Sequence, residues 1–251
     1  MIPLEKGKIF KSNACGLFEI LEEVISENKE YKSYNTQKFK IRFLKTNTTK
    51  IVFLQNIRRG NIIDYNYPTI CNIACLGEGE FKSNHFAYLT WKGIIHRCYD
   101  IKDSKYKYYG AKGIRICEEW LNFQNFAKWY EENKYVGDLS VDKDILANIQ
   151  HKEIKIYSPE TCILLPKALN CWLLGDNLNT GIEIKNNYYR AQIKNRFGQK
   201  FSSKFESWKD AKIWYAKVKY EDFKGYIEEF EIPKYIKEII LKYDFSWYWL
   251  F

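Results

Sequence analysis

A chain of 251 residues suffices for two or three small cores, because domains usually hold about 100–150 residues. At 46% hydrophobic and 18% aromatic it can bury such cores and is not a disordered tail, and it has no run of eighteen uncharged apolar residues to cross a membrane. Forty basic residues against thirty-one acidic ones leave a net charge of +9, which speaks against an anionic enzyme surface and favours a polyanionic partner such as nucleic acid; an AT-rich genome is the bland source of the same lysine excess.

The charge is spread along the chain, since cuts at 80 and 175 leave +3 in each part, as expected of several modules lying along one anionic ligand. Seven cysteines at 15, 71, 75, 98, 117, 162 and 171 are odd in number and scattered, so they do not read as a disulfide framework. The opening MIPLEKGKIFKSNAC has no apolar signal-peptide run. The expectation is a cytoplasmic protein with no membrane partner.

Residues 1–80 read as a small barrel-like β module. KFKIRFL (38–44) and TKIVFL (49–54) alternate in period two about KTNT, a hairpin signature, while GLFEILEEV (17–25) fits either a strand or a helical turn. Arg58, Arg59 and Gly60 follow, and Gly77, Gly79, Ser83 and Asn84 mark a boundary near 77–84. Residues 81–175 change character. Helical spacing is predicted over 86–100 and 118–133, the second with Trp120, Phe123, Phe126, Ala127 and Trp129–Tyr130 on one face. Between them a basic turn carries Lys112 and Arg115. A strand over 140–146, a loop, a second strand over 162–166 and a helix from Lys167 to Leu174 complete the module, with Pro166 suited to that helix's first turn. Residues 176–251 open on a turn and offer three short strands, IEIK, YYRAQIK and KFSSKF. A helix from Ser207 to about Tyr220 follows, capped by Ser207 with Asp210 three positions on. Pro233 restarts a terminal helix, and DFSWYWLF closes the chain as an aromatic segment suited to packing on a core.

The central module resembles the phage-type HNH homing endonucleases. The residues that carry the resemblance are Tyr88, Trp91, Arg97-Cys98-Tyr99, Tyr109-Gly110, Gly113-Ile114, Cys117, Trp120, Phe123, Phe126 and Trp129. They continue with Val141-Asp142-Lys143-Asp144-Ile145-Leu146, Tyr157-Ser158-Pro159-Glu160-Thr161-Cys162, Pro166 and Asn170, about eighty residues at consistent spacing. The resemblance implies an α+β, multi-module chain around a ββα-metal core, in which two strands and a helix hold one divalent cation, magnesium by preference. The strand, loop, strand, helix order of 140–174 is the same order read from the residues alone. Asp142 and Asn170 match the two metal-ligand positions, and a hard cation that keeps several waters can be held by one carboxylate and one amide oxygen.

The departure lies at the general base. Where the wider group has a histidine after the ligand aspartate, this chain has Lys143, a poor base at its ordinary pKa of about 10.4. Either Lys143 only stabilises phosphate charge, or Asp144 or His151 supplies the base, or the nuclease is weak or inactive. His85 and His96 fall outside this core. Cys98, Cys117 and Cys162 lack a CxxC knuckle and read as packing thiols rather than a structural zinc site, and Cys71 and Cys75 have no partner pair nearby in sequence.

The segment 181–219 resembles the three-stranded sheet plus helix of plant ethylene-response DNA-binding domains, on Gly181, Tyr189-Arg190-Ala191, Phe205, Ala211 and Tyr215. Independently, residues 184–224 hold eleven basic and four acidic residues. Arg190, Gln192, Lys194, Arg196, Lys200 and Lys204 are expected to face double-stranded DNA, arginine reading guanine and lysine the phosphates. Arg58, Arg59, Arg97, Lys112 and Arg115 are the further candidate DNA contacts. The expected function is a metal-dependent DNA endonuclease of phage or mobile-element type, a monomer or a homodimer on DNA. The alternatives are a catalytically decayed core acting as a sequence-specific DNA-binding regulator and, more weakly, an RNA-binding protein.

Overall fold

Period-two patterns become sheets and the 3.6-residue patterns become helices, and the side chains that alternate inward fix each register. The computed structural model describes residues 4–24, 37–149, 156–174, 181–195 and 197–242. The chain is of mixed α+β type with several small sheets. It divides into two compact units, Met1–Lys112 with Ile116–Lys128, and Gly113–Arg115 with Trp129–Phe251.

In the first unit, β1 (Ile9–Lys11), β2 (Leu17–Val24), β3 (Lys38–Phe43) and β4 (Thr49–Phe53) form one antiparallel meander in chain order. The segment that fitted either strand or helix is a strand, β2, because it pairs with β3 and buries Phe18 and Ile20 opposite Phe43 and Ile41. Among the described residues the sheet is an open meander with β1 and β4 at its edges, where the sequence suggested a barrel-like module. Its inner face, Phe18, Ile20, Phe39, Ile41 and Phe43, packs with Cys15, Ile62, and Leu54 and Ile57 of α1 (Leu54–Arg59). Gly60 ends α1 in the left-handed region at φ 68°, where it donates to the Ile57 carbonyl. The predicted helix over 86–100 is α2 (Ala87–Tyr99), with Trp91, Ile94, Ile95 and Cys98 buried. The helix predicted from 118 begins as a 3₁₀ turn, and α3 runs Phe123–Asn133. The Trp91 indole donates to the Trp120 carbonyl at 2.6 Å, and the Gln124 amide bonds the Leu76 and Phe81 carbonyls, fastening the Gly77–Gly79 passage to α3.

The short strand β5 (Arg115–Ile116) falls across the division between the two units, and the second unit contains the short strand β7 (Ile156–Tyr157). There β6 (Leu139–Asp142) pairs antiparallel with β8 (Ile163–Pro166), and α5 (Lys167–Leu174) follows directly. The strand predicted over 140–146 stops at Asp142. The Asp142 carboxylate accepts the backbone N–H groups of Asp144 and Ile145, both at 2.9 Å, which turns the chain into a short helix, α4 (Asp144–Ile149). Pro166 lies at the end of β8 rather than inside the helix.

The C-terminal three-stranded sheet is antiparallel, with β10 (Tyr188–Lys194) between β9 (Ile182–Lys185) and β11 (Lys200–Phe205). Gly181, at φ 125°, lies where a Cβ would fall 2.3 Å from the Tyr215 ring. Ser207 accepts from the Asp210 N–H at 3.0 Å and starts α6 (Trp208–Glu229). The helix runs nine residues past Tyr220, where it was expected to end, because Phe223 and Ile227 continue its buried stripe through Gly225. Burying each such side chain stabilises by roughly 1.5–3 kcal/mol, more than the ~1 kcal/mol a helical glycine costs. Pro233 precedes α7 (Lys234–Leu241), which buries Ile236 and Ile240 one turn apart. Ile145, Ile163, Leu165 and Leu169 share one core with Ala216, Phe223, Ile227, Ile232, Ile236 and Ile240. The aromatic segment 244–251 lies outside the described residues.

Candidate functional site

Residues two apart on a strand point to the same side, so β6 presents Ser140 and Asp142 together. Asp142 is 4% exposed, and burial first, then the charge of Asp144, pushes its carboxyl up to about 6. On α5, Asn170 is also buried. Its Nδ2 donates to the Ser140 hydroxyl at 2.9 Å, and its Oδ1 is buried and accepts no hydrogen bond. An orphaned amide oxygen is costly to bury, and a hard cation is one partner that would satisfy it. Asn170 and Asp142 therefore fit the oxygen-donor pair expected of the two ligand positions. A cation beside Asp142 would favour the ionised carboxylate, against the effect of burial.

Lys143 is 5% exposed, its Nζ lying 2.8 and 2.9 Å from the two carboxylate oxygens of Asp144 and 5.7 Å from the centre of the Tyr157 ring. In this ion pair Lys143 offers a positive charge rather than a lone pair, and Asp144, the second candidate base, is the other half of the pair. His151, the third, lies outside the described residues. The YSPETC segment forms a tight turn. The Ser158 N–H donates to the Thr161 hydroxyl at 3.2 Å, and the Cys162 N–H donates to the Ser158 carbonyl at 3.0 Å. Burial pushes the Cys162 thiol up, as suits a packing thiol, and no disulfide joins any two of the seven cysteines.

The C-terminal sheet sorts its residues by register. Arg190 is paired with Glu183 on one side and Lys204 on the other, Gln192 with Ser202, Lys194 with Lys200, and Tyr188 with Lys185. Directly paired residues project to the same face. Arg190, Gln192, Lys194, Lys200 and Lys204 thus share one face with Lys185, while Ala191 on the other face is buried and packs beside α6. Arg196 lies outside the described residues. Sequence reasoning missed Glu183. Its carboxylate accepts from Arg190 and, at 2.6 Å, from Gln192 Nε2, with Lys185 Nζ at 3.0 Å. The hydrogen bonds from Arg190 and Lys185 hold its carboxyl at about 2. The alternation that placed Arg190 outward places Glu183 there as well, so the signal was present.

The remaining candidate contacts belong to other parts of the sequence. Arg58 and Arg59 are exposed at the carboxyl end of α1, and Lys112 and Arg115 are exposed, Arg115 donating to the Ile114 carbonyl at 2.9 Å. Arg97 is half-buried, its guanidinium 4.9 Å from the Tyr109 ring centre, so it packs on an aromatic face instead of projecting freely. No described helix is long and apolar enough to cross a membrane. No protein-family model, curated protein or solved structure matches this chain.

Proposed function

We propose that this protein is a divalent-cation-dependent DNA endonuclease of phage or mobile-element type, acting in the cytoplasm of the host cell on double-stranded DNA. The observation that carries the reading is Asn170, whose amide nitrogen is fastened to Ser140 while its buried oxygen has no hydrogen-bond partner, against the strand that also carries the Asp142 carboxylate. Asp142 and Asn170 would hold the ion, magnesium by its preference for oxygen ligands. When bound, such an ion polarises a phosphodiester and stabilises charge on the leaving oxygen. Asp142 also caps α4, which fixes the carboxylate, and Ser140 fixes the Asn170 amide. On the C-terminal sheet the lysines would neutralise phosphates, and Arg190 and Gln192, both bonded to Glu183 in the unbound chain, would exchange that carboxylate for base edges. One core per chain suits a nick, and two chains on one site would give a double-strand break. The test is conversion of supercoiled plasmid to open circle with magnesium. Nicking should vanish on chelation and in Asp142→Asn, and a protein inert with every divalent cation refutes the reading.

The Lys143–Asp144 ion pair favours a second reading. With two of the three candidate bases engaged with each other, a decayed core acting as a sequence-specific DNA-binding regulator would bind its site without cutting it. Retained site-specific binding with no nicking in magnesium selects this alternative.

A further inference from the structure

We propose that Cys71, His96 and Asp100 form a binding site for a zinc-class divalent cation, between the turn at 70–74 and the carboxyl end of α2. The three residues lie in one compact unit, and one ligand atom from each falls within 4.8 Å of the others. His96 in the last turn of α2 and Asp100 at its C-cap are four positions apart, which sets both on one side of the helix end. His96 Nδ1 lies 3.2 Å from Asp100 Oδ2. That is a hydrogen-bond length, and it is also close to the edge, about 3.3 Å, of a tetrahedron with metal bonds of ~2.0 Å.

Cys71 comes from elsewhere in the chain and is held in place at both ends of its turn. Ile70 and Ala74 exchange two backbone hydrogen bonds of 3.0 Å and are both buried. Cys75 then bonds Leu121 and Phe123 through its backbone at 2.9 and 3.0 Å. Inside this closed turn Cys71 and Asn72 adopt left-handed φ values of 50° and 60°. The other oxygen of Asp100 accepts the Lys102 N–H at 2.9 Å, orienting the carboxylate as outer partners orient metal ligands.

The donor set selects the ion. A thiolate, an imidazole and a carboxylate suit zinc, whereas magnesium and calcium prefer oxygen alone. Tetrahedral edges between such ligands are about 3.3–3.7 Å, so capture would draw the Cys71 sulfur inward by about 1.3 Å at most. All three residues are half-buried, which leaves a fourth position for water. The thiol proton would pass to solvent, and His96 would bind in its neutral form. The ion would clip the 70–74 turn to α2, and the site stands whether or not the chain cuts DNA.

The experiment uses the full-length, reduced, chelator-stripped protein titrated with cobalt(II) and then zinc. One equivalent of cobalt should give thiolate-to-metal charge-transfer absorption that zinc abolishes. The oxygen pair Asp142 and Asn170 cannot produce that band. Cys71→Ser should remove the band with an unchanged far-ultraviolet dichroism spectrum, and His96→Ala should weaken binding roughly tenfold or more. Cys171→Ser, at an exposed cysteine elsewhere, and Asp142→Asn should leave the band intact. Absence of the band at one equivalent, its survival in Cys71→Ser, or its loss in Cys171→Ser overturns the assignment.

Discussion

Replacing Lys219 with methionine should stabilise the folded protein, in a way that depends on pH. Lys219 lies on the stripe of α6 formed with Ala216, Phe223 and Ile227, all four being buried. Burial pushes its ammonium down from 10.5 to about 8. Between those values the unfolded chain binds more protons than the folded one, so the lysine's cost is fully present below about 8 and fades as the pH rises through 10.5. At roughly 1.4 kcal/mol per tenfold in proton affinity, the cost is about 3 kcal/mol at pH 7, about 2 at pH 9 and under about 1 at pH 10. Methionine has a similar length and no charge to desolvate. Guanidinium unfolding of both proteins at these three pH values measures the difference. The stability gain of Lys219→Met should shrink by about 2 kcal/mol between pH 7 and pH 10. A gain that is flat across that range would refute the assignment of the cost to a buried ammonium. Because Lys219 is buried, the same substitution should leave the salt dependence of DNA binding unchanged, although a charge count over 184–224 includes it.

Asp142→Asn keeps an oxygen to cap α4 and removes the carboxylate charge, so it should abolish magnesium-dependent nicking while DNA affinity holds within about twofold by gel shift. Arg190→Ala should relax preference at one base position, costing about 1–3 kcal/mol of discrimination, while Lys200→Ala or Lys204→Ala should weaken all sequences alike and lower the slope of log affinity against log salt by about 1. Equal losses for Arg190 and the lysines on specific and random duplexes would contradict that division of labour. If Lys143 acts through its charge, Lys143→Ala should slow nicking without moving the pH–rate profile, and a basic limb that shifts in this variant would instead make it the base.

Much of the fold was legible because its causes are local. Alternation in KFKIRFL predicts a strand that buries Phe39, Ile41 and Phe43 and exposes Lys38 and Arg42, and β3 does this. Ser207 and Asp210 start α6 by a hydrogen bond between residues three apart. The misreadings have non-local or competing causes. Residues 143–146 read as strand on their apolar pattern, but the Asp142 side chain captures the Asp144 and Ile145 amides and starts a helix there. The amino-terminal strands read as barrel-like, yet sheet closure depends on long-range pairing that no local pattern encodes.

By itself the sequence determined that Arg190, Gln192 and Lys194 share one side of their strand and Lys200 and Lys204 one side of theirs, since side chains on a strand alternate with a period of two whatever they pack against, while the pairing register added Glu183 and Lys185 to that face. It also placed Asp142 on one strand and Asn170 on the helix that follows its partner. Only the tertiary structure decided that Asn170 would spend its amide nitrogen on Ser140 and keep a buried oxygen without a partner. The same holds for Lys219, which the packing of α6 buries, and for Cys71, which a closed turn brings beside His96 and Asp100. Each of these depends on groups brought together by packing, and local periodicity carries no information about which distant surface a side chain will meet.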